Sequence, residues 1–199
     1  LGMSLAACST GSTSGSGSQS SSGSQSGSGS QSGTTYKVGI VKYMDHASLD
    51  QIEENVQKEL DVKSQELGVT FDYADYTYNG QGDGTTLNQI AAQLKADDVD
   101  IIVPIATPAA QAVQAAVDGT DIPVVFAAVS DPVTAKLVSD MNAPGGNITG
   151  VSDALNTQVI MDLMFAADPD IQSVGLLYSK SEDSSTKPIQ EAKEYLDAK

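Results

Sequence analysis

Val99-Asp100-Ile101-Ile102-Val103-Pro104-Ile105-Ala106-Thr107-Pro108-Ala109-Ala110-Gln111-Ala112-Val113-Gln114-Ala115-Ala116 holds a strand, a sharp turn and a helix in one run. The continuous apolar stretch from Val99 to Ala106 suits a strand buried on both faces of a parallel sheet. Thr107 can cap the following helix with its hydroxyl, and Pro108 suits the first helical position because it has no N–H to leave unpaired. Ala109, Ala110, Val113, Ala116 and Val117 then recur at helical spacing. A small-residue helix start at the carboxyl end of a parallel strand turns free N–H groups and a positive dipole end toward the crevice where open α/β sheets bind ligands.

The rest of the chain repeats that grammar. Tyr36 to Val41 reads as the first strand, with Tyr43-Met44-Asp45-His46 as the turn beyond it. A helix follows with Leu49, Ile52, Val56, Leu60 and Leu67 on one face, stopped by Gly68. Val69 to Tyr78 alternates as a second strand, on which Tyr76 and Tyr78 share a face as packing residues. A glycine-rich loop, Gly80 to Gly84, leads into a helix with Leu87, Ile90, Ala91 and Leu94. This loop has neither the Walker lysine nor dinucleotide spacing, so it does not read as a phosphate loop. Ile122 to Val129 is a further strand closed by Ser130-Asp131-Pro132, Leu137 and Val138 fall in a short helix, and Ile148 to Val151 is the next strand. A helix over 157–167, a strand over 174–178 and a helix from about Ser185 begin a second set. Alternating strands and helices predict an α/β fold: a Rossmann-like three-layer αβα lobe with a mainly parallel sheet, then the start of a similar one.

Composition narrows function. The 199 residues carry 26 acidic side chains against 10 basic ones, a net charge of −16. Every basic residue is lysine, which argues against nucleic-acid binding and removes the bidentate arginine clamp for carboxylate or phosphate. An anion held here has backbone N–H groups, hydroxyls or a lysine to hold it. No Gly-x-Ser-x-Gly elbow, zinc-type cluster or Cys–His pair is present, so the chain reads as a non-enzyme without metal or cofactor. Asn147-Ile148-Thr149 fits the glycosylation sequon, but the N-terminus points to a bacterium, where that match is idle.

That N-terminus reads as processing signal. Residues 1–7 look like the end of a lipoprotein signal peptide, and Leu5-Ala6-Ala7-Cys8 matches the bacterial lipobox, which makes Cys8, the single cysteine, the lipidated residue. Residues 9–33 contain only Ser, Gly, Thr and Gln, so 8–35 read as lipidated cysteine plus disordered linker, with an r.m.s. span of about 30 Å. No stretch approaches the length of a membrane-spanning helix. The first lobe then occupies 36–155, and 156–199 begin a second, incomplete lobe. The expected location is the extracellular face of a cell membrane, held by lipid.

Four ordered motifs carry a resemblance: Lys37-Val38-Gly39-Ile40-Val41-Lys42-Tyr43-Met44-Asp45-His46-Ala47-Ser48-Leu49-Asp50, Ile105 to Ala112, Phe126-Ala127-Ala128-Val129-Ser130-Asp131-Pro132-Val133, and Pro144-Gly145-Gly146-Asn147-Ile148-Thr149-Gly150-Val151-Ser152-Asp153. Together they resemble the ABC transporter substrate-binding proteins of the tryptophan/aromatic amino-acid type, which have the type 1 periplasmic-binding-protein fold. The resemblance covers about residues 36–199, and full members run well beyond residue 199. Lipobox plus Ser/Gly linker is the form such proteins take in Gram-positive bacteria. The family implies two lobes closing on a small ligand, here an amino acid, with an ABC permease and its ATPase as partners. In that scheme Thr107 and the N–H groups of Ala109 and Ala110 take the ligand carboxylate, Asp131 pairs with its ammonium group beside Ser130, and Asp45 or His46 lines the pocket. Glu182 and Ser184 close from the second lobe. The family's Tyr-Asn-x-x-Glu-x-Asn-Ser pattern falls on Tyr178 to Ser185, with serine at 179 and 184 where the family favours asparagine. The alternative is a surface lipoprotein of the same fold that feeds ligand occupancy to a signalling system instead of a transporter.

Overall fold

The computed structural model describes residues 33–199, so the signal, Cys8 and nearly all of the linker lie outside the described residues. Gly33–Lys199 forms one compact unit. The fold starts slightly before the expected boundary: Thr34 already accepts a hydrogen bond from Thr70 N–H, and β1 spans Thr35–Lys42.

From β1 the chain runs through α1 (Ala47–Leu67) to two short strands, β2 (Thr70–Asp72) and β3 (Thr77–Asn79), then α2 (Gly84–Ala96) and β4 (Ile101–Ile105). Next come α3 (Thr107–Val117), β5 (Val124–Val129), β6 (Ile148–Ser152), α4 (Thr157–Ala167) and α5 (Thr186–Asp197). Every strand pair is parallel, in the order β2-β1-β4-β5-β6, with β3 also on β1. β2 and β3 take the two halves of β1, Thr35–Lys37 and Ile40–Lys42, so they form one interrupted border strand. A 3₁₀ turn over Ala74–Tyr76 makes the break. This corrects the single strand expected over Val69–Tyr78: Tyr76 sits in the turn and Tyr78 in β3, yet both pack on the same core cluster, as packing residues should. The chain leaves β1 toward one side, then returns across it to β4. Strand order therefore reverses between β1 and β4, the place where open α/β sheets put their ligand crevice.

Both sheet faces are covered, as uninterrupted apolar strands require. Val38, Ile40 and Ile105 pack under Leu49, Ile52, Val56 and Leu60 of α1. Val41, Ile102, Val124 and Phe126 pack under Leu87, Leu94, Ala109, Val113 and Val117 of α2 and α3. Leu67 is 64% exposed in the last turn of α1 and takes no part, while Gly68 closes that helix in the left-handed region at φ 67°.

Two further expectations fail. Leu137 and Val138 follow a run of turns over 132–136 instead of lying in a helix, and their N–H groups both reach Pro132 O. Val174–Tyr178 forms no strand, and Leu177 is 99% exposed. A strand exists only by pairing its backbone, and no neighbouring strand adjoins this segment among the described residues. α4 and α5 pack on each other. No helix among the described residues is long and apolar enough to cross a membrane.

Candidate functional site

Three strand ends meet at the carboxyl edge of the sheet. At β1, Lys42 is buried and reaches Asp50 at 2.5 Å, Glu53 at 3.3 Å and Asp45 at 3.4 Å. The bond to Asp50 dominates over the opposing effect of burial; with Glu53 and Asp45 added, the ammonium titrates well above the ordinary lysine range. Asp45 also accepts from Asn79 Nδ2 at 2.6 Å, yet its side chain remains 82% exposed on the rim. His46 is the N-cap of α1, its Nδ1 accepting from Ser48 N–H at 3.3 Å. Both residues thus hold the β1–α1 turn together while standing at the edge of the crevice.

At β4 the geometry departs from the expected cap. Ala106, not Thr107, is the N-cap of α3, and its φ of 80° with ψ of 156° lies in a region that is essentially glycine's. Thr107 is the first helical residue, so its hydroxyl caps nothing. That hydroxyl is buried and has no hydrogen-bond partner among the described residues. A buried orphan of this kind is disfavoured unless something else partners it. Ala110 N–H donates to Ala106 O at 3.1 Å, which removes it from the expected anion grip. Ile105 O, the acceptor that Ala109 would use in a longer helix, instead accepts from Tyr43 N–H at 3.2 Å. Thr107 and Ala109 therefore carry the amides left without an intrahelical partner at this helix start. The side chains of Ala109 and Ala110 pack into the core.

At β5, Ala128 also has positive φ, 55°, and the ladder to β6 is irregular between Phe126 and Val129. Ser130 O accepts from Ser152 Oγ at 3.2 Å, tying the strand end to β6. Asp131 organises the turn after it. Its Oδ1 accepts from the N–H groups of Val133 and Thr134, and its Oδ2 accepts from Thr134 Oγ1 at 2.9 Å and pairs with Lys187 Nζ at 3.2 Å. Burial pushes this carboxyl up, but Thr134 and Lys187 outweigh that and hold it below the usual range. A carboxylate offers about four acceptor positions, and here all are taken. Lys187 holds the fourth of these positions on Asp131, the carboxylate expected to meet a ligand ammonium group.

The segment before α5 completes the rim. A 3₁₀ turn over Asp183–Ser185 contains the half-buried Ser184. Glu182 Oε1 accepts from Tyr43 Oη at 3.5 Å, and Asp183 Oδ2 accepts from Gln111 Nε2 at 2.7 Å. Burial, then Glu182, raises the Tyr43 hydroxyl above its ordinary pKa. The structure thus gathers Thr107, Asp131 and Glu182 around the strand reversal. It adds Lys42, Gln111 and Lys187, which sequence reasoning passed over. Gln111 lay one helical turn beyond Thr107 and was the findable one.

A family profile described as "ABC transporter substrate binding protein" matches residues 37–199. The chain belongs to that family. A tyrosine-binding protein of Clostridioides difficile is 34% identical over 160 residues, covering 79% of this chain and 45% of that protein. The structure of a domain from Streptococcus pneumoniae in complex with L-Trp is 37% identical, covering 83% of this chain and 54% of that one, with a TM-score of 0.75. A ligand-free, open substrate-binding protein with adhesive properties from Clostridium difficile is 32% identical over 82% of this chain and 54% of that one, with a TM-score of 0.63. This ABC transporter substrate-binding chain spans about half the length of the relatives it matches. Its fold is that of the type 1 periplasmic binding proteins.

Proposed function

We propose that this chain is the solute-binding receptor of an ABC importer and takes an aromatic amino acid, tyrosine or tryptophan, into the crevice at the β1–β4 reversal. The buried, unpartnered hydroxyl of Thr107 at the start of α3 carries the reading. That hydroxyl and the amides of Thr107 and Ala109 make a donor set for a carboxylate, placed at the positive end of an 11-residue helix in a chain that has no arginine. The tyrosine-binding and L-Trp-bound relatives support the ligand class. Cys8 anchors the receptor by lipid at the extracellular face of the cell membrane, and a permease with its ATPase receives the ligand from the closed form.

Titration calorimetry with L-tyrosine and L-tryptophan tests the ligand. Heat from one of them is expected, and silence from both overturns the assignment. Thr107→Val tests the site: it keeps the shape, removes one hydrogen bond to a charged group, and weakens binding roughly tenfold. Because the orphan hydroxyl goes too, the ligand-free protein gains about 1 kcal/mol in thermal unfolding. Unchanged affinity in Thr107→Val removes the helix mouth from the mechanism.

A further inference from the structure

The segment Glu182–Lys187 touches three separate elements of the first sheet's carboxyl edge. Glu182 meets Tyr43 beyond β1, Asp183 meets Gln111 on α3, and Lys187 meets Asp131 beyond β5. Nothing apolar holds the segment there: it is Glu-Asp-Ser-Ser-Thr-Lys, and its hold on the sheet edge is polar. Lys187 also fills the last acceptor position on Asp131, the carboxylate expected from the sequence to receive an ammonium group.

We propose that Glu182–Lys187 is a self-competing strap: Lys187 stands in for the ammonium group of an incoming amino acid on Asp131, and the Gln111–Asp183 bond latches the strap over the crevice until ligand arrives. The inference rests on the reading of this crevice as the binding site. The strength of the parts fits a gate rather than a weld. Lys187 is 53% exposed, so water can replace Asp131 around its ammonium, while Asp131 keeps its bonds to Val133 and Thr134. Gln111 to Asp183 is a charge-assisted bond at the surface. Ligand enters only when the strap lifts, so the lifted fraction scales the association rate.

Hydrogen exchange of ligand-free protein reads the strap without any ligand. Lys187→Met and Gln111→Ala each raise exchange in the peptide spanning residues 180–188 by roughly two- to fivefold, and the double variant by roughly tenfold. Lys187→Arg retains protection. Lys180→Met, at a lysine of the same peptide but outside the strap and with no ion pair among the described residues, leaves exchange unchanged. Equal exchange in Lys187→Met and the parent overturns the strap. Stopped-flow association with L-tyrosine then reads the gate, and Lys187→Met speeds association by the factor by which exchange rises. A rise in exchange with no change in association rate overturns the gating role. A rise in exchange with neither L-tyrosine nor L-tryptophan bound to any form upholds the strap and sinks the ligand assignment instead.

Discussion

Ala106 sits where almost only glycine is at ease, and it does so at the turn that aims α3 into the crevice. Strain of this kind amounts to roughly 1–3 kcal/mol and persists where the surrounding structure imposes it. Ala106→Gly removes the Cβ clash, loses part of that gain to chain entropy, and is expected to stabilise by about 1 kcal/mol in urea unfolding. Ala106→Val, with a branched side chain at the same φ, lowers stability by about 2 kcal/mol or more. The same two variants, if ordered the other way, remove strain from the account of this turn. Residue-scale roles were the hardest to read in advance. The Thr107-Pro108 pair announces a helix start, but whether the hydroxyl caps or stands idle depends on one residue of offset, and the φ of Ala106 leaves no trace in composition. Lys42 and Lys187 were invisible for a different reason, since each matters through carboxylates that only the fold brings near.

At the scale of elements, local patterning decided well wherever a strand had its partners. Ile101–Ile105 and the helix over Thr157–Ala167 were legible because unbroken apolar runs and 3.6-residue periodicity need no distant information. Alternation over Val69–Tyr78 concealed the 3₁₀ turn at Ala74–Tyr76, which period-two patterning does not exclude. Val174–Tyr178 has the composition of a strand and lies unpaired among the described residues, because sheet structure is a property of at least two segments. Leu177→Ser is therefore expected to shift stability by less than about 0.5 kcal/mol while reducing concentration-dependent association in sedimentation. A large loss of stability contradicts the exposure of that side chain. Gly150 in β6 behaves oppositely: a Cβ there drives into Phe126 O and the Phe126 ring of the neighbouring strand. Gly150→Ala costs about 2–4 kcal/mol by thermal unfolding, since backbone on one side and a core aromatic on the other leave little room to yield.

For the whole molecule, charge sets the response to pH. Asp50 is held low first by its hydrogen bond to Lys42, Asp83 by its bonds to Thr86, and Asp131 by Thr134 and Lys187 against the effect of burial. Carboxyls whose pKa falls on folding contribute stability above their unfolded value, near 4, and lose it as pH drops through the folded one. Stability is thus expected to hold from neutral pH down to about pH 4 and then fall. Lys42→Met, which leaves Asp50 and Glu53 without their cation, lowers neutral-pH stability by about 1–3 kcal/mol and flattens the acid limb. Parallel acid limbs for parent and variant exclude the Lys42 ion pairs as the cause.

The split border strand has a consequence for how copies of this chain meet one another. A sheet margin with a long row of free N–H and C=O groups is a template on which a second molecule can crystallise its own backbone. β2 and β3 each offer three residues and are then interrupted by the turn at Ala74–Tyr76. A stranger docking on that side gains a few bonds and loses register before it gains more. The opposite margin, β6, keeps five residues in line with Val151 exposed and no further strand among the described residues, so it is the side that offers a newcomer the longer unbroken row.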